Sequence, residues 1–336
     1  MPDNRRFLLR RRPDGTPVPD DFELVTEATP ALADGEFLIR NHYASLDPAI
    51  RGWMDAEGNY MPPIPLDAPV RASTIGVVEE SRAEGFAPGQ WVMGLNAIED
   101  YSVGVSGGFT QPIDPALVPS VTNYLSIFGA VGMTAYFGLL EVCEPKAGET
   151  VLVTGAAGAV GSIVGQLARI KGCRAVGIAG GPEKCARLVD RYGFDAAIDY
   201  RGKDEAALTQ AIAEAAPNGV DVIFENVGGI ILDAGLMNIN LGGRVGLCGL
   251  ISEYNTAPVG IRNLWQLIVK RAHIRGLLVA DYVPRFGEGA AQMGEWVAAG
   301  KIVTDEHIDE GIENTFDAFM RLFAGSNQGK MILKIA

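Results

Sequence analysis

Three places in this 336-residue sequence combine residue types and spacings suited to chemistry. The first lies within residues 149–172. An apolar run, Val151-Leu152-Val153, enters a turn holding Gly155, Gly158 and Gly161, and a helical pattern follows without a break. Strand, glycine turn and helix together can seat a pyrophosphate, because helix-terminal N–H groups point at the anion. The spacing is G-x-x-G-x-x-G rather than G-x-G-x-x-G. A tight strand-to-helix turn is therefore the competing reading. Ser162, Gly165 and Ala168 are small enough to let the helix lie close to a sheet, which favours a dinucleotide and redox chemistry.

The second place is the end of the next strand, 174–179. Enzymes that take NAD usually carry an acid there for the ribose 2′-hydroxyl. Here the strand runs into Gly180-Gly181-Pro182-Glu183-Lys184. Lys184, in the first helical turn, could meet a 2′-phosphate as a point charge, and Tyr200, after the third strand, could add a hydrogen bond. NADP is the expectation. Glu183 leaves the ribose-acid alternative open.

The third place is Cys248–Asn255, after the fifth strand, at the sheet edge where open α/β sheets bind ligands. Tyr254 is the candidate proton or hydrogen-bond donor. Asn226, closing the fourth strand, is a candidate cofactor contact. Nine tyrosines are present and none is followed four residues later by lysine, so a Tyr-x-x-x-Lys pair is not expected. The four cysteines form no CxxC pair, and His42, His273 and His307 sit in no HExxH pattern, so no metal site is expected. An activated carbon–carbon double bond or a quinone suits such a site, since either accepts hydride with only an oxyanion to steady.

The elements that must position these residues follow from pattern. Strand-like runs at 151–155, 174–179, 196–199, 220–225, 243–248 and 274–279 alternate with helical runs at 160–172, 182–192, 204–216, 230–240 and 261–272. That alternation predicts a doubly wound parallel sheet. Residues 1–120 instead hold short apolar runs bounded by Pro and Gly, such as Glu36–Arg40, Ser73–Glu79 and Gly89–Leu95, and predict antiparallel strands. The tail 331–335 is a further strand that could rejoin them. The charge is 28 − 41 = −13, against a nucleic-acid surface. No run nears the roughly 18 apolar residues of a membrane helix. The expected location is cytoplasmic.

Taken together, Ser45–Arg51 (SLDPAIR), Gly132–Leu139, Ala156–Ser162, Gly180–Lys184, Glu225–Gly229, Cys248–Asn255 and Asn327–Lys330 (NQGK) resemble the zinc-independent medium-chain dehydrogenase/reductases. The branch they resemble is that of the alkenal/one reductases. The resemblance implies a GroES-like, mainly β catalytic domain (1–121 with 300–336), a Rossmann NADP(H) domain (122–299) and a homodimer. It implies that Gly158, Ala159, Val160 and Gly161 hold the pyrophosphate and that Lys184 and Tyr200 hold the 2′-phosphate. Asn226, Cys248, Gly249, Ile251, Tyr254, Leu278 and Asn327 would line the rest of the cofactor. The implied reaction is NADPH-dependent reduction of an enone or enal, with Tyr254 or the nicotinamide ribose at the enolate oxygen. Quinone reduction, alcohol oxidation and NADPH binding without turnover are the alternatives. Ala49 stands where family members commonly carry an aromatic, on the substrate side.

Overall fold

Seven strands open the computed structural model, which describes residues 2–336. They are β1 (Asp3–Leu9), β2 (Phe22–Ala28), β3 (Glu36–Ser45), β4 (Arg71–Ser81), β5 (Trp91–Ala97), β6 (Tyr101–Val105) and β7 (Gln111–Pro112), with a short helix α1 (Ala49–Trp53) between β3 and β4. β1 and β2 pair as a separate antiparallel ribbon. The chain returns to this unit through β14 (Glu306–Glu310) and β15 (Lys330–Lys334), joined by helix α9 (Thr315–Ala324). The larger sheet runs β14-β15-β3-β4-β5-β7, with β6 also on β3. The tail strand thus rejoins the N-terminal strands, β15 lying antiparallel to β3. The unit comprises residues to Leu125 together with Glu306–Ala336.

The NQGK and SLDP motifs meet inside this unit. Lys330 is buried, and its ammonium donates to the Leu46 carbonyl and to Asp47 Oδ1, each at 2.8 Å. Ser45 Oγ donates to the other Asp47 oxygen. The paired charge and the backbone acceptor compensate the burial of the ammonium.

The second unit is Ser126–Asp305. Its strands are β8 (Thr150–Val153), β9 (Arg174–Ala179), β10 (Ala196–Asp199), β11 (Val220–Glu225), β12 (Ile239–Leu247) and β13 (His273–Gly276). All pair in parallel, in the order β10-β9-β8-β11-β12-β13. This is the 3-2-1-4-5-6 order of a dinucleotide fold. Apolar clusters cover both faces. One is built around Val151, Val153 and Phe224, the other around Leu152, Val176 and Ile223, and so the strands read as continuous apolar runs. The helices are α2 (Ala130–Phe137), α3 (Ala159–Ile170), α4 (Pro182–Asp190), α5 (Glu205–Ala215), α6 (Gly229–Met237), α7 (Trp265–Lys270) and α8 (Phe286–Ala298). Among the described residues no helix is long and apolar enough to cross a membrane.

Several segments depart from the sequence reading, among them residues 239–240, expected as the end of a helix but placed at the start of β12. The helix expected over 261–272 is only α7, because Asp233 Oδ1 takes the N–H groups of Arg262 and Asn263 at 2.9 and 3.1 Å and leaves a loop before it. The strand expected over 274–279 stops at Gly276; Leu277 still donates to the Leu247 carbonyl at 3.0 Å, and a 3-10 turn (Val279–Arg285) follows. Segment 300–305, read from sequence as part of the N-terminal domain, stays with the second unit. Gln166, on α3, grips Val303 at both main-chain groups at 2.8 Å. Arg187, on α4, and Arg191, its C-cap, hold the Asp305 carboxylate. Burial opposes ionisation of Asp305, but its bonds to Arg191, Tyr192 and Arg187 outweigh that and bring its pKa down to about 2.

Candidate cofactor and active site

The glycine turn between β8 and α3 is shaped by lack of side chains. Gly155 has φ +57°, in the left-handed region. A Cβ on Gly161 would stand 2.5 Å from the Gly155 carbonyl oxygen and 2.8 Å from Ala156 Cα. Gly158 is the N-cap, with extended backbone. The first intrahelical bond runs from the Ser162 N–H to the Gly158 carbonyl at 3.0 Å. The amides of Ala159, Val160 and Gly161 therefore precede the helical ladder and point out of its positive end. A pyrophosphate fits such a terminus through main-chain donors alone.

The end of β9 carries the second subsite. Gly181 takes φ +96° and donates to Asp199 Oδ1 at 2.7 Å, and that oxygen also accepts the Arg201 N–H at 3.0 Å. Asp199 thus draws the end of β10 toward the Gly180-Gly181 turn. Tyr200 and Arg201 are brought over the turn. A Cβ on Gly180 would lie 3.1 Å from the Tyr200 hydroxyl and 3.2 Å from Arg201 Nε; one on Gly181 would lie 3.1 Å from Arg201 Nη1. Lys184 stands in the first turn of α4, half-buried. Burial first, and then the nearby Arg201 charge, push its pKa below the ordinary lysine value. One cation over a side-chain-free turn and a second beside it suit a dianion. Glu183 is exposed on the same turn.

The third subsite joins the ends of β8, β11 and β12. Asn226 is tied twice to Thr154: its N–H donates to Thr154 Oγ1 at 2.8 Å and its side-chain amide to the Thr154 carbonyl at 2.7 Å. Cys248 and Gly249 donate to the Glu225 carbonyl at 2.9 and 3.1 Å; Ile251 donates to the Asn226 carbonyl at 3.1 Å. The Cys248 thiol is pushed up to about 12 by burial, with Cys143 and Glu225 adding to it, so it is no thiolate nucleophile near neutrality. Tyr254 follows a 3-10 turn (Ile251–Glu253) and folds back, its hydroxyl accepting the Leu250 N–H at 3.3 Å. The structure thus gathers Asn226, Cys248, Gly249, Ile251 and Tyr254 at one sheet edge.

Two family models match this sequence. One, described as the N-terminal domain of oxidoreductase, covers residues 5–112; the other, described as zinc-binding dehydrogenase, covers residues 159–296. NADPH-dependent curcumin reductase of Escherichia coli is 38% identical, over 99% of this chain and 97% of that protein. The NADP(+)-dependent 2-alkenal reductase of Nicotiana tabacum is 38% identical, over 99% and 98%. The chain belongs to the zinc-independent medium-chain dehydrogenase/reductases, in the alkenal/one reductase branch. A solved member, CurA of Vibrio vulnificus in complex with NADPH, superposes with a TM-score of 0.92 at 40% identity, covering 99% of each chain.

In this reductase the remaining expected positions are placed as follows. Leu278 lies just after β13, at the start of the 3-10 turn. Asn327 belongs to the first unit, buried, with its amide donating to the Gly329 carbonyl at 3.0 Å. Ala49 opens α1. Further along that helix Trp53 meets the edge of the Tyr60 ring at 6.5 Å, and the buried Trp53 Nε1 has no partner. Among the described residues no group of three or more His, Cys, Asp or Glu side chains is placed to hold a metal ion, although one matched model is described by zinc. Sequence reading passed over Arg201 and Glu225. The signal for Arg201 was its place beside Tyr200, directly after the third strand.

Proposed function

We propose that this reductase uses NADPH to reduce the carbon–carbon double bond of α,β-unsaturated ketones and aldehydes. The observation that carries the cofactor choice is Arg201 over the Gly180-Gly181 turn, with Lys184 near enough to feel its charge, where an NAD enzyme would carry an acid. The enone class rests on kinship with proteins named curcumin reductase and 2-alkenal reductase. The first-turn amides of α3 hold the pyrophosphate. Lys184, Tyr200 and Arg201 hold the 2′-phosphate, and Asn226 with the Cys248–Ile251 turn holds the nicotinamide end. NADPH, when bound, supplies the hydride that reaches the β-carbon. Tyr254 steadies the enolate oxygen by hydrogen bonding, alone or with the ribose hydroxyl. A proton then reaches the α-carbon from solvent.

The domain roles belong to the same proposal: the first unit carries substrate selection, around Ala49 and Trp53, and the second carries the cofactor. So does a cytoplasmic homodimer. The four cysteines are free thiols. β13 is an edge strand, and near it in sequence Trp265 and Ile268 expose apolar surface, which a second copy would cover. The test is NADPH oxidation with a series of simple enones beside matched saturated ketones and quinones. Turnover of the enones is expected. Turnover confined to the ketones or the quinones would replace the proposal, and none with any acceptor despite NADPH binding would leave only a cofactor-binding protein.

A further inference from the structure

Glu225 closes β11 and is fully buried, yet nothing in the proposed chemistry uses its carboxyl. One oxygen does three jobs. Glu225 Oε1 accepts from Thr154 Oγ1 at 2.8 Å, from the Val227 N–H at 2.6 Å and from the Gly228 N–H at 2.7 Å. Thr154 Oγ1, while donating to Glu225, accepts the Asn226 N–H. The Glu225 carbonyl receives Cys248 and Gly249. A single residue therefore gathers the ends of three strands. The turn it shapes is also the floor of the next one. Ser252 donates to the Val227 carbonyl at 3.0 Å from its N–H and at 2.6 Å from its hydroxyl. A Cβ on Gly228, at φ +84°, would lie 2.9 Å from the Leu250 side chain.

This arrangement costs stability. Glu225 Oε2 is buried without a partner, and an unmatched polar atom in the interior is unfavourable. Burial pushes the carboxyl pKa up, against the donors on Oε1 that favour the ionised form. A simple turn needs no buried carboxyl, since main-chain bonds alone could close it.

We infer that Glu225 is a positioning residue for the nicotinamide end of the cofactor. Through Oε1 it fixes the turn under the Cys248–Tyr254 loop, and so it sets where Asn226 and the Tyr254 hydroxyl stand. This rests on the proposed function, in which that loop meets the nicotinamide.

The test separates the two ends of the cofactor. The fragment 2′,5′-ADP reaches only the adenosine end, so its Kd reports the pyrophosphate-side and 2′-phosphate subsites. In Glu225→Ala that Kd should stay within about 2-fold of wild type, while kcat/KM for NADPH falls about 30-fold or more, as for misplacement of reacting groups. Glu225→Gln retains an acceptor at the Oε1 position and should recover kcat/KM to within about 5-fold of wild type. Unchanged kcat/KM in Glu225→Ala overturns the inference. So does parallel loss of 2′,5′-ADP binding, which would make the carboxyl a support of the whole unit, and so does a Gln variant as impaired as Ala. Should Glu225→Ala fail to fold, Thr154→Val removes two bonds of the same network. It should lower kcat/KM about 10-fold at constant 2′,5′-ADP affinity, and an unchanged value overturns the inference. Wild-type protein that binds no 2′,5′-ADP would count against the proposed function instead.

Discussion

The Arg201 guanidinium reaches to 3.1 Å from the point where a Cβ on Gly181 would stand. The turn is bare on the side where the arginine lies, and the space between is bounded by main chain and cation. Arg201→Ala is expected to weaken 2′,5′-ADP binding about 10-fold and to leave 5′-AMP unchanged, since charge-assisted bonds to a phosphate are the strong ones. Calorimetry with the two nucleotides checks it; equal losses for both would remove Arg201 from the 2′-phosphate.

Lys184 gives the same subsite a pH dependence. Its pKa lies below the ordinary value of 10.5, through burial and the Arg201 charge. A bound phosphate favours the charged amine, so affinity is full while Lys184 is protonated and falls as pH rises through the free-protein pKa. The decline in 2′,5′-ADP affinity should begin below pH 10.5 and be absent in Lys184→Arg. A flat profile in wild-type protein up to the ordinary lysine range contradicts this.

Gly161 is fixed by packing against main chain. Its substitution by Ala would bring a Cβ to 2.5 Å from the Gly155 oxygen, and neither backbone segment can rotate away. Gly161→Ala should destabilise by about 1–3 kcal/mol, as overpacking does, and should weaken NADPH binding. Gly287, on α8, has open space around it, and Gly287→Ala should be neutral or stabilising by up to about 1 kcal/mol. Thermal denaturation of the pair decides; equal shifts would refute the packing argument.

Tyr254 holds its hydroxyl against the Leu250 N–H at 3.3 Å, a long bond. A phenol hydroxyl at this sheet edge has the chemistry of a donor toward an oxyanion. Tyr254→Phe should lower kcat on enones about 10–100-fold, the range for loss of one such donor, with little change in NADPH affinity. An unchanged kcat takes Tyr254 out of the mechanism.

Much of this was legible beforehand because the signals were local. The parallel sheet announced itself through apolar runs alternating with helical ones, and the glycine turn and Lys184 sit within single supersecondary units. What stayed hidden depended on elements meeting. Arg201 reaches the Gly180-Gly181 turn only because Asp199 ties the end of β10 to it. Glu225, in the strand-ending Glu225–Gly229 motif, takes on a role only when the fold closes around its carboxyl. The loop at 261–264 read as helix because the pattern could not show Asp233 capturing its amides.

The two phosphate subsites are written in different materials. The pyrophosphate subsite proposed at Ala159–Gly161 uses main-chain donors. The proposed 2′-phosphate subsite uses side chains from a helix start and a strand end. Cofactor preference can therefore drift in a lineage through a few point changes at 180, 184 and 201, while the dinucleotide itself remains bound. A library restricted to those three codons is the shortest route from NADP to NAD use in this scaffold.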